Sequence, residues 1–408
     1  MSLKSIAILH YSCPPVVGGV EEIVRQQASL FHRNYHPLKI IAGTGGYFRK
    51  DLDIEIHPLL SSRNEQIVEL QKDVQANLAE LKNIAHEIQS LLSASLASFD
   101  VLIAHNVLTM PYNLPLTMAL HALADDGLKI IGWNHDSPFF YASVDRHLHN
   151  GVWKILKQYN SKITYITISK SRKKEFQKIY GDGKLLKVIS NGIDPIRFLR
   201  LDSNSARLIQ NEGLLDCQLV MVQPSRLHPR KNIELSIQVL KALRDLNVDV
   251  KLLLTGAFDH HEEKTMEYYN RLRALSGALG VDDRLVIISQ YKAKNGRAVA
   301  ADRVIMRDLY QISDLLFLPS KQEGFGIPVL EAGMIRLPIA CSDIPPFRTI
   351  AGENVLYFSL QDPAEEIAAK IVAFMKKIPT YRMFKTVMKE YVWDGIYRKQ
   401  ILPLLETI

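Results

Sequence analysis

Two glutamates, Glu323 and Glu331, are separated by seven residues that include a glycine-rich turn. The apolar run Asp314–Ser320 just before them is typical of a buried parallel strand. Pro328 suits the first turn of a helix, where its missing N–H costs nothing. The sequence therefore predicts a strand, a loop and a helix that place two carboxylates at the end of one strand.

The turn between the glutamates contains Gly324 and Gly326 beside Phe325 and Ile327. Glycines let backbone amides come close to a ligand, and a helix N-terminus attracts phosphate through its free amides and its dipole. Carboxylates accept hydrogen bonds from hydroxyl groups. This combination suits a sugar nucleotide, and the alternative is a structural turn with solvated carboxylates.

The spacing of the two glutamates, with the glycines and the proline between them, resembles the donor-site motif of retaining glycosyltransferases with the GT-B architecture, family 4 in particular. The resemblance implies that Glu331 holds the ribose hydroxyls. It implies that Glu323 holds sugar hydroxyls or assists positive charge on the sugar, and that residues 324–327 contact the donor.

Arg226 and Lys231 follow the apolar run Leu219–Ser225. They resemble the arginine–four residues–lysine pair that clamps the donor diphosphate in the family. Arg grips two oxygens at once and Lys acts as a point charge, so the pair stabilises a leaving diphosphate. The adjacent Arg230 does not match that pattern and is not assigned to the site. A basic surface loop is the alternative.

Two glycine turns also match the family. Gly18 and Gly19 follow the first apolar run and resemble the N-terminal glycine loop that faces the donor phosphate and the acceptor. Gly256 matches a turn near the nucleotide, but Phe258–Glu263 after it depart from the common pattern. We interpret the histidines and glutamates of that loop as solvated rather than as a metal site.

His135 ends the run Leu128–His135, where family members often have a histidine close to the transferred sugar. The resemblance implies that its imidazole bonds a sugar hydroxyl, and that Asp136 orients it or binds the acceptor. Asn106, which with His105 ends the run Asp100–Asn106, is a further candidate on the acceptor side. A purely structural histidine is the alternative.

The chain has 408 residues and a net charge of +7. This length suits two α/β domains better than a single core. No apolar run reaches the ~20 residues of a membrane span, and we expect no signal peptide. The three cysteines have neither metal-binding nor disulfide spacing, which favours the cytoplasm, with the inner membrane face as a further location.

Short runs rich in Ile, Val and Leu alternate with segments of helical length on both sides of a midpoint near residue 195. The runs are Ser5–His10, Pro37–Gly43, Asp100–Asn106, Leu128–His135, Ile163–Ser169, Leu186–Ile193, Leu219–Ser225, Val250–Gly256, Arg284–Ser289, Asp314–Ser320, Leu337–Ser342 and Asn354–Ser359. This alternation is typical of parallel sheets covered by helices on both faces. Ligands of such sheets sit at the carboxyl ends of the strands.

We therefore predict an α/β fold of two Rossmann-like doubly wound domains. The resemblance implies that they face each other across a cleft, as GT-B, and that the last helix crosses back to the N-terminal domain. The predicted segments are an acceptor-binding domain at 1–195, a donor domain at 196–387 and the returning helix at 388–408. The turn Asn191–Pro195 is the predicted hinge.

Two further segments have distinctive patterns. Asn64–Ala94 lack glycine and proline, and their apolar residues recur at steps of three and four, which predicts a long amphipathic helix, continuous or broken near its middle. We expect it to pack on the N-terminal domain, with dimerisation or acceptor docking as alternatives.

The segment between Phe139 and Lys187 is basic. It contains eleven Lys or Arg residues and three Asp or Glu residues, with aromatic residues among them. That segment is a surface for anionic lipid or anionic acceptor, or a solvated face.

The predicted function is a retaining transfer of a hexose from a nucleoside diphosphate sugar to a hydroxyl of a carbohydrate, lipid or small-molecule acceptor. By resemblance no cofactor and no metal is required, because basic residues and helix amides replace it. The alternatives are a GT-B epimerase, a glycoside phosphorylase and a non-catalytic sugar-nucleotide-binding protein. We expect no nucleic acid partner, and the sequence leaves the sugar, the base, the acceptor and the oligomeric state open.

Overall fold

The computed structural model describes residues 3–256, 265–291 and 302–408. These form two compact units. The N-terminal unit consists of Met1–Asp194 together with Tyr391–Ile408, and the C-terminal unit consists of Pro195–Glu390.

The N-terminal unit contains a parallel sheet of seven strands in the order β3-β2-β1-β4-β5-β6-β7. Its strands are β1 (Ile6–Ser12), β2 (Leu38–Thr44), β3 (Asp53–Ile56), β4 (Val101–His105), β5 (Ile130–Asn134), β6 (Ile163–Thr167) and β7 (Leu186–Val188). Its first helices are α1 (Gly19–Arg33), α2 (Glu65–Leu70), α3 (Leu78–Ser95), α4 (Leu114–Asp125) and α5 (Lys170–Tyr180).

The C-terminal unit contains a parallel sheet of six strands in the order β10-β9-β8-β11-β12-β13. Its strands are β8 (Leu219–Gln223), β9 (Val250–Leu254), β10 (Leu285–Ile287), β11 (Leu315–Leu318), β12 (Ile339–Ser342) and β13 (Leu356–Phe358). Its helices are α6 (Pro195–Phe198), α7 (Ser203–Asn211), α8 (Ile233–Asp245), α9 (Thr265–Ala278), α10 (Arg303–Ile312), α11 (Ile327–Met334), α12 (Pro345–Ala351), α13 (Ala364–Lys376) and α14 (Pro379–Glu390).

Both sheets are buried on both faces. In β1, Ala7 and Leu9 pack into one apolar cluster, while Ile6 and Ile8 pack into another. Successive side chains of a strand point to opposite faces, so a strand between two helical layers must be apolar throughout. This explains the predicted runs, and it confirms an α/β fold with two doubly wound sheets.

The structure contains one strand that the sequence did not predict. Residues Asp53–Ile56 form β3, which pairs with β2 at the edge of the N-terminal sheet. Only Ile54 of its four residues is buried, and polar residues alternate with apolar ones. A short, half-polar edge strand does not produce the continuous apolar run that identified the others.

The predicted helix at 64–94 is broken near its middle. Helix α2 ends at Leu70, and α3 begins at Leu78. Asn77 donates its side-chain amide to the carbonyl of Leu70, and Gln71 accepts a hydrogen bond from the amide of Leu114 at 2.6 Å. These side-chain bonds compete with helical ones and turn the chain toward α4. The apolar face packs into the core, which confirms the predicted role.

The last segment returns to the N-terminal unit. Helix α15 (Trp393–Ile396) continues through a π-helical turn (Tyr397–Ile401) into α16 (Leu402–Thr407). Ile193 pairs with Val392 in a parallel bridge, and the Trp393 indole packs against Gly192, where a Cβ would lie 2.7 Å from Cδ2 of the ring. Tyr391, just before this helix, is 41% exposed.

No helix among residues 3–256, 265–291 and 302–408 is both long enough and apolar enough to cross a bilayer.

We expect Trp393→Ala to destabilise the N-terminal unit by about 3–5 kcal/mol, because it removes a fully buried indole and leaves a cavity. The same change at Tyr391, a half-exposed ring two residues earlier, is the matched control and is expected to cost within about 0.5 kcal/mol. Urea unfolding followed by circular dichroism measures both. Equal effects of the two substitutions would show that the indole does not anchor this segment.

Candidate active site

The predicted donor residues lie where the order of the C-terminal sheet reverses. Strands β8 and β11 are neighbours, yet the chain leaves them in opposite directions, toward β9 on one side and β12 on the other. Loops at such a point diverge and leave a crevice at the carboxyl ends of the strands, which is where doubly wound sheets bind ligands. Arg226 and Lys231 follow β8, while Glu323 follows β11.

An ion pair joins these two loops. Lys231 Nζ lies 2.5 Å from Glu323 Oε1, and both side chains are largely shielded, at 14% and 11% exposure. The same carboxylate oxygen accepts a hydrogen bond from Ser320 Oγ at 2.7 Å. Arg230 Nη1 lies 3.6 Å from Glu323 Oε2, so Arg230, unassigned from the sequence, contributes to the charge of the site.

Buried hydrogen bonds hold both loops in place. Gln223 at the end of β8 donates to the backbone oxygen of Lys231 at 3.0 Å and accepts from Ser236 Oγ at 2.6 Å. Ser342 at the end of β12 donates to the carbonyl of Ser320 at 2.6 Å. The amide of Lys321 donates to the carbonyl of Arg230 at 2.8 Å. Hydrogen bonds therefore fix the backbone of both loops that carry the ion pair.

Gly326 directs the chain into α11. Its φ of 109° lies in the left-handed region, and a Cβ there would be 3.2 Å from the ring of Phe347. Both facts favour glycine. Pro328 occupies the first turn of α11, as predicted. Phe325 and Ile327, on either side of Gly326, are each 60% exposed.

Glu331 lies in the second half of the motif, on α11. Its carboxylate accepts a hydrogen bond from Tyr310 of α10 at 2.9 Å. Burial, and next the neighbouring Glu331, raises the pKa of Tyr310, so the phenol stays protonated and donates.

Arg226, the other predicted cation of the donor site, lies five residues before Lys231, and its side chain is exposed.

Gly256 follows β9 at the next strand end. Its φ is 60°, its amide donates to the carbonyl of Ser225 at 3.0 Å, and a Cβ would lie 2.7 Å from Ile287. The turn therefore packs tightly against β10. The predicted solvated loop Phe258–Glu263 lies outside the described residues.

In the N-terminal unit, Gly18 and Gly19 form the entrance to α1. Gly18 is the extended residue before the helix, and a Cβ on it would meet the carboxylate of Glu21. That carboxylate accepts a hydrogen bond from Ser12 Oγ at 2.5 Å. Nothing lies within 4 Å of a Cβ built on Gly19.

Three buried histidines lie at the carboxyl ends of β1, β4 and β5. His105 Nδ1 is 3.0 Å from His135 Nε2, and His10 Nδ1 is 2.8 Å from the carbonyl oxygen of His105. The chain of contacts continues on both sides. His105 Nε2 is 3.0 Å from Gln27 Oε1, and His135 Nδ1 is 3.4 Å from Asn191 Nδ2.

This histidine cluster (His10, His105 and His135) is held neutral. Burial lowers the pKa of His135 to about 3 and that of His105 well below its usual value. Because Oε1 of Gln27 accepts a hydrogen bond, His105 carries its proton on Nε2. Nδ1 of His105 is then an acceptor, and Nε2 of His135 donates to it. Both nitrogens of His135 are therefore engaged, and contact of its imidazole with a sugar would require release from Asn191.

Asn106 organises the predicted acceptor residues. It has a φ of 57°, and its Oδ1 accepts hydrogen bonds from the amides of His135 and Asp136 at 3.0 and 2.9 Å. The Asp136 carboxylate accepts from Tyr141 at 2.9 Å and lies 3.4 Å from Arg172. The structure thus brings together two sets of predicted residues, Lys231 with Glu323 in one unit, and Asn106, His135 and Asp136 in the other.

Several residues of these networks were not found from the sequence. They are His10, Gln27, Gln223, Ser320, Ser342 and Tyr310. Most lie at or just beyond the carboxyl end of an apolar run, so a polar residue in that position was the available signal. Within the described residues, no group of three or more His, Cys, Asp or Glu side chains is placed to hold a metal ion.

Two family profiles match the chain. The profile described as "Glycosyl transferases group 1" matches residues 205–390, and the profile described as "Glycosyltransferase Family 4" matches residues 17–197. Each covers most of one unit.

Similar proteins with curated names are also found. Mannosylglucosylglycerate synthase of Petrotoga mobilis is 23% identical over 297 residues, which are 68% of this chain and 65% of that protein. The serotype-specific mannosyltransferase WbdA of Escherichia coli is 45% identical over 58 residues, 14% of this chain and 7% of WbdA. The GDP-mannose-dependent alpha-(1-6)-phosphatidylinositol monomannoside mannosyltransferase of Mycolicibacterium smegmatis is 25% identical over 46% of this chain and 43% of that protein. The chain thus spans less than two thirds of the length of these relatives.

Among solved structures, HepE of Anabaena in complex with UDP-glucose aligns with 99% of this chain and 100% of its own, at 17% identity and a TM-score of 0.38. A glycosyltransferase from Rickettsia africae aligns with 100% and 99%, at 16% identity and a TM-score of 0.38. Scores this low add no argument about the site. The two family profiles, one on each doubly wound unit, identify this chain as a member of the glycosyltransferases of group 1 and family 4.

Proposed function

We propose that this chain transfers a hexose from a nucleoside diphosphate sugar to an acceptor hydroxyl with retention of the anomeric configuration. The observation that carries the proposal is the Lys231–Glu323 ion pair at the reversal point of the C-terminal sheet. The bond to be broken joins a diphosphate oxygen to an electron-poor sugar carbon. A cation beside a carboxylate matches these two ends, the cation at the diphosphate and the carboxylate at the sugar.

Lys231 and Arg226 are assigned to the donor diphosphate in this proposal. In the transition state negative charge builds up on the leaving oxygen, so a preorganised cation stabilises it more than the ground state. The contact with Glu323 holds the Lys231 ammonium in place before the donor arrives, which lowers the cost of ordering it. Residues 324–327 and the N-terminus of α11 add backbone amides and a favourable dipole.

Glu323 and Glu331 are assigned to hydroxyl groups. Glu323 accepts from the sugar hydroxyls and favours positive charge on the ring, while Glu331, oriented by Tyr310, accepts from the ribose hydroxyls. His135 and the glycines Gly18, Gly19 and Gly256 are assigned to the surroundings of the donor, and Asn106 and Asp136 to the acceptor.

The proposed step is a displacement on one face of the sugar. The bond between the anomeric carbon and the diphosphate oxygen breaks, and a bond to the acceptor oxygen forms on the same face. The departing phosphate takes the acceptor proton, so no side chain is consumed. The charge of the diphosphate is offset by Lys231, Arg226 and the helix amides, and the proposal therefore includes activity without a metal.

A thermal-shift screen tests the donor class, because a bound ligand raises the apparent stability of the folded state. The names of the relatives make GDP-mannose the first compound, beside UDP-glucose and ADP-glucose. Nuclear magnetic resonance of the product then gives its anomeric configuration. Inversion would refute retention, and a changed sugar without acceptor product would indicate an epimerase instead.

We expect Lys231→Ala to lower kcat for release of nucleoside diphosphate by about 10²–10³-fold, with a smaller effect on donor binding, because it removes charge that acts mainly in the transition state. The assay uses the donor found in the screen, in buffer with EDTA, where the wild-type chain is expected to be active. Lys241→Ala on α8, which removes an exposed lysine paired with Asp245, is the matched control and should leave the rate within twofold. An unaltered rate in Lys231→Ala would remove this residue from the mechanism.

Glu331→Ala should weaken nucleoside diphosphate binding by about ten- to a hundredfold, since hydrogen bonds to a charged group contribute about 1.5–3 kcal/mol. Calorimetric titration with GDP and UDP measures this. Tyr310→Phe removes the bond to the carboxylate but keeps the carboxylate, so a smaller loss is expected. Glu353→Ala, which removes an exposed carboxylate paired with Arg348, is the control. Unchanged affinity in Glu331→Ala would contradict its assignment to ribose.

We also propose that the basic segment 139–187 contacts an anionic membrane surface. Lys170, Lys174 and Lys178 are exposed and recur every four residues along α5, so they lie along one face. The aromatic residues of the segment are mostly used within the unit, since Trp153 is buried and Lys157 lies over the ring of Phe139. The proposed contact is therefore electrostatic rather than inserted.

Replacing Lys170, Lys174 and Lys178 by Glu should abolish sedimentation with vesicles of phosphatidylcholine and phosphatidylglycerol, because each lysine contributes about 1 kcal/mol near an anionic surface. Glu substitutions at Lys376, Lys377 and Lys389, which are exposed in the C-terminal unit, change the charge equally and serve as the control. Equal loss in both variants, or no wild-type sedimentation at low salt, would refute a specific basic surface.

A further inference from the structure

His10 occupies the reversal point of the N-terminal sheet. It lies near the carboxyl end of β1, whose neighbours are β2 on one side and β4 on the other. The chain leaves β1 toward β2 and leaves β4 toward β5, so loops diverge here as they do between β8 and β11. A side chain at this point is placed to meet a ligand of the N-terminal unit.

The proton of His10 can be located. Its Nδ1 is 2.8 Å from the carbonyl oxygen of His105, and a carbonyl only accepts, so Nδ1 carries the hydrogen. Burial lowers the pKa of the ring, against smaller raising effects of that hydrogen bond and of Glu21. A neutral imidazole with its hydrogen on Nδ1 has a lone pair on Nε2.

That lone pair distinguishes His10 from the other members of the histidine cluster. Both ring nitrogens of His105 and of His135 have partners. His10 Nε2 has none within residues 3–256, 265–291 and 302–408, although the residue is only 7% exposed. Nε2 does not belong to the fully buried side-chain atoms that lack a partner, so it borders solvent, where the donor of a ligand can reach it.

A second hydrogen-bond acceptor lies close to His10. Ser12 lies two residues further along β1, on the same face, and its hydroxyl hydrogen is directed to the Glu21 carboxylate at 2.5 Å. The edge thus presents an imidazole lone pair and a carboxylate near the Gly18 turn. Both groups accept hydrogen bonds, so they fit the hydroxyl groups of a polyol, which bring donors.

We propose that His10 accepts the hydrogen bond of the acceptor hydroxyl that attacks the sugar. This inference rests on the proposed function and names the acceptor-side group of the same reaction. The hydrogen bond holds and orients this hydroxyl at the N-terminal unit. The proton still goes to the departing phosphate, and His10 is neutral before and after the step.

Two substitutions of His10 separate its two nitrogens. His10→Asn keeps a donor where Nδ1 meets the carbonyl of His105 but removes the acceptor at Nε2. His10→Gln places an amide oxygen near the Nε2 position and gives up the bond to the carbonyl. His36→Asn is the matched control, because His36 is also buried and its Nδ1 is 2.8 Å from the carbonyl of Lys4, but it lies just before the amino end of β2.

The assay follows release of nucleoside diphosphate from the donor identified in the thermal-shift screen, with methyl α-D-mannopyranoside, glycerol or water alone as the hydroxyl probe. His10→Asn should lower kcat/KM for the hydroxyl probe by about 3- to 10-fold or more, the range of one lost hydrogen bond, with the donor KM unchanged. His10→Gln should recover part of this loss, and His36→Asn should have neither effect. Where only water reacts, the hydrolysis rate replaces kcat/KM.

The outcomes are distinguishable. Equal kcat/KM in His10→Asn and the wild-type chain overturns this inference and leaves the proposed function intact. A loss of equal size in His36→Asn also overturns it, because the effect would then be one of general packing. A wild-type chain that binds no nucleoside diphosphate sugar and releases no nucleoside diphosphate overturns the proposed function, and this inference with it.

Discussion

The contact between Lys231 and Glu323 depends on a single constraint, the parallel direction of the strands in the C-terminal sheet. Because β8 and β11 run the same way side by side, the loops that leave them emerge at one edge and meet there. Ninety-two positions of sequence separate the two side chains, yet they lie 2.5 Å apart. The hydrogen bonds of Gln223 and Ser342 hold these two loops at that edge.

The Lys231–Glu323 ion pair is not simply a contact that stabilises the fold. A cation and an anion withdrawn from water lose hydration that their attraction repays only with good geometry and further hydrogen bonds. Ser320 supplies one such bond to the carboxylate, and Arg230 lies near its second oxygen. The positive charge of Lys231 is therefore held in a fixed position at this edge of the sheet.

The N-terminal sheet also reverses its strand order, but different side chains lie at its strand ends. Its strand ends carry neutral imidazoles in place of an ion pair, because burial lowers the pKa of all three members of the histidine cluster. Neutral rings donate and accept in a fixed order, from His135 to His105 to Gln27. This order fixes which ring nitrogens of His105 and His135 donate and which accept.

The sequence by itself determined the α/β class, the strands with continuous apolar runs, and the two loops that carry Lys231 and Glu323. Those features are local, since burial on both faces and the turn requirements of glycine and proline are visible in consecutive residues. It did not reveal β3, whose half-exposed edge position leaves no apolar run. It left open whether residues 64–94 form a continuous or a broken helix, because the break depends on Gln71 meeting the amide of Leu114 from another helix. Only the tertiary structure decided that Arg230 joins the ion pair and that both nitrogens of His135 are occupied. It also decided that Nε2 of His10 has no partner in the part of the chain that the structure describes. Hydrogen-bond partners of strand-end side chains come from neighbouring strands far away in the chain, and no local pattern of residues specifies them.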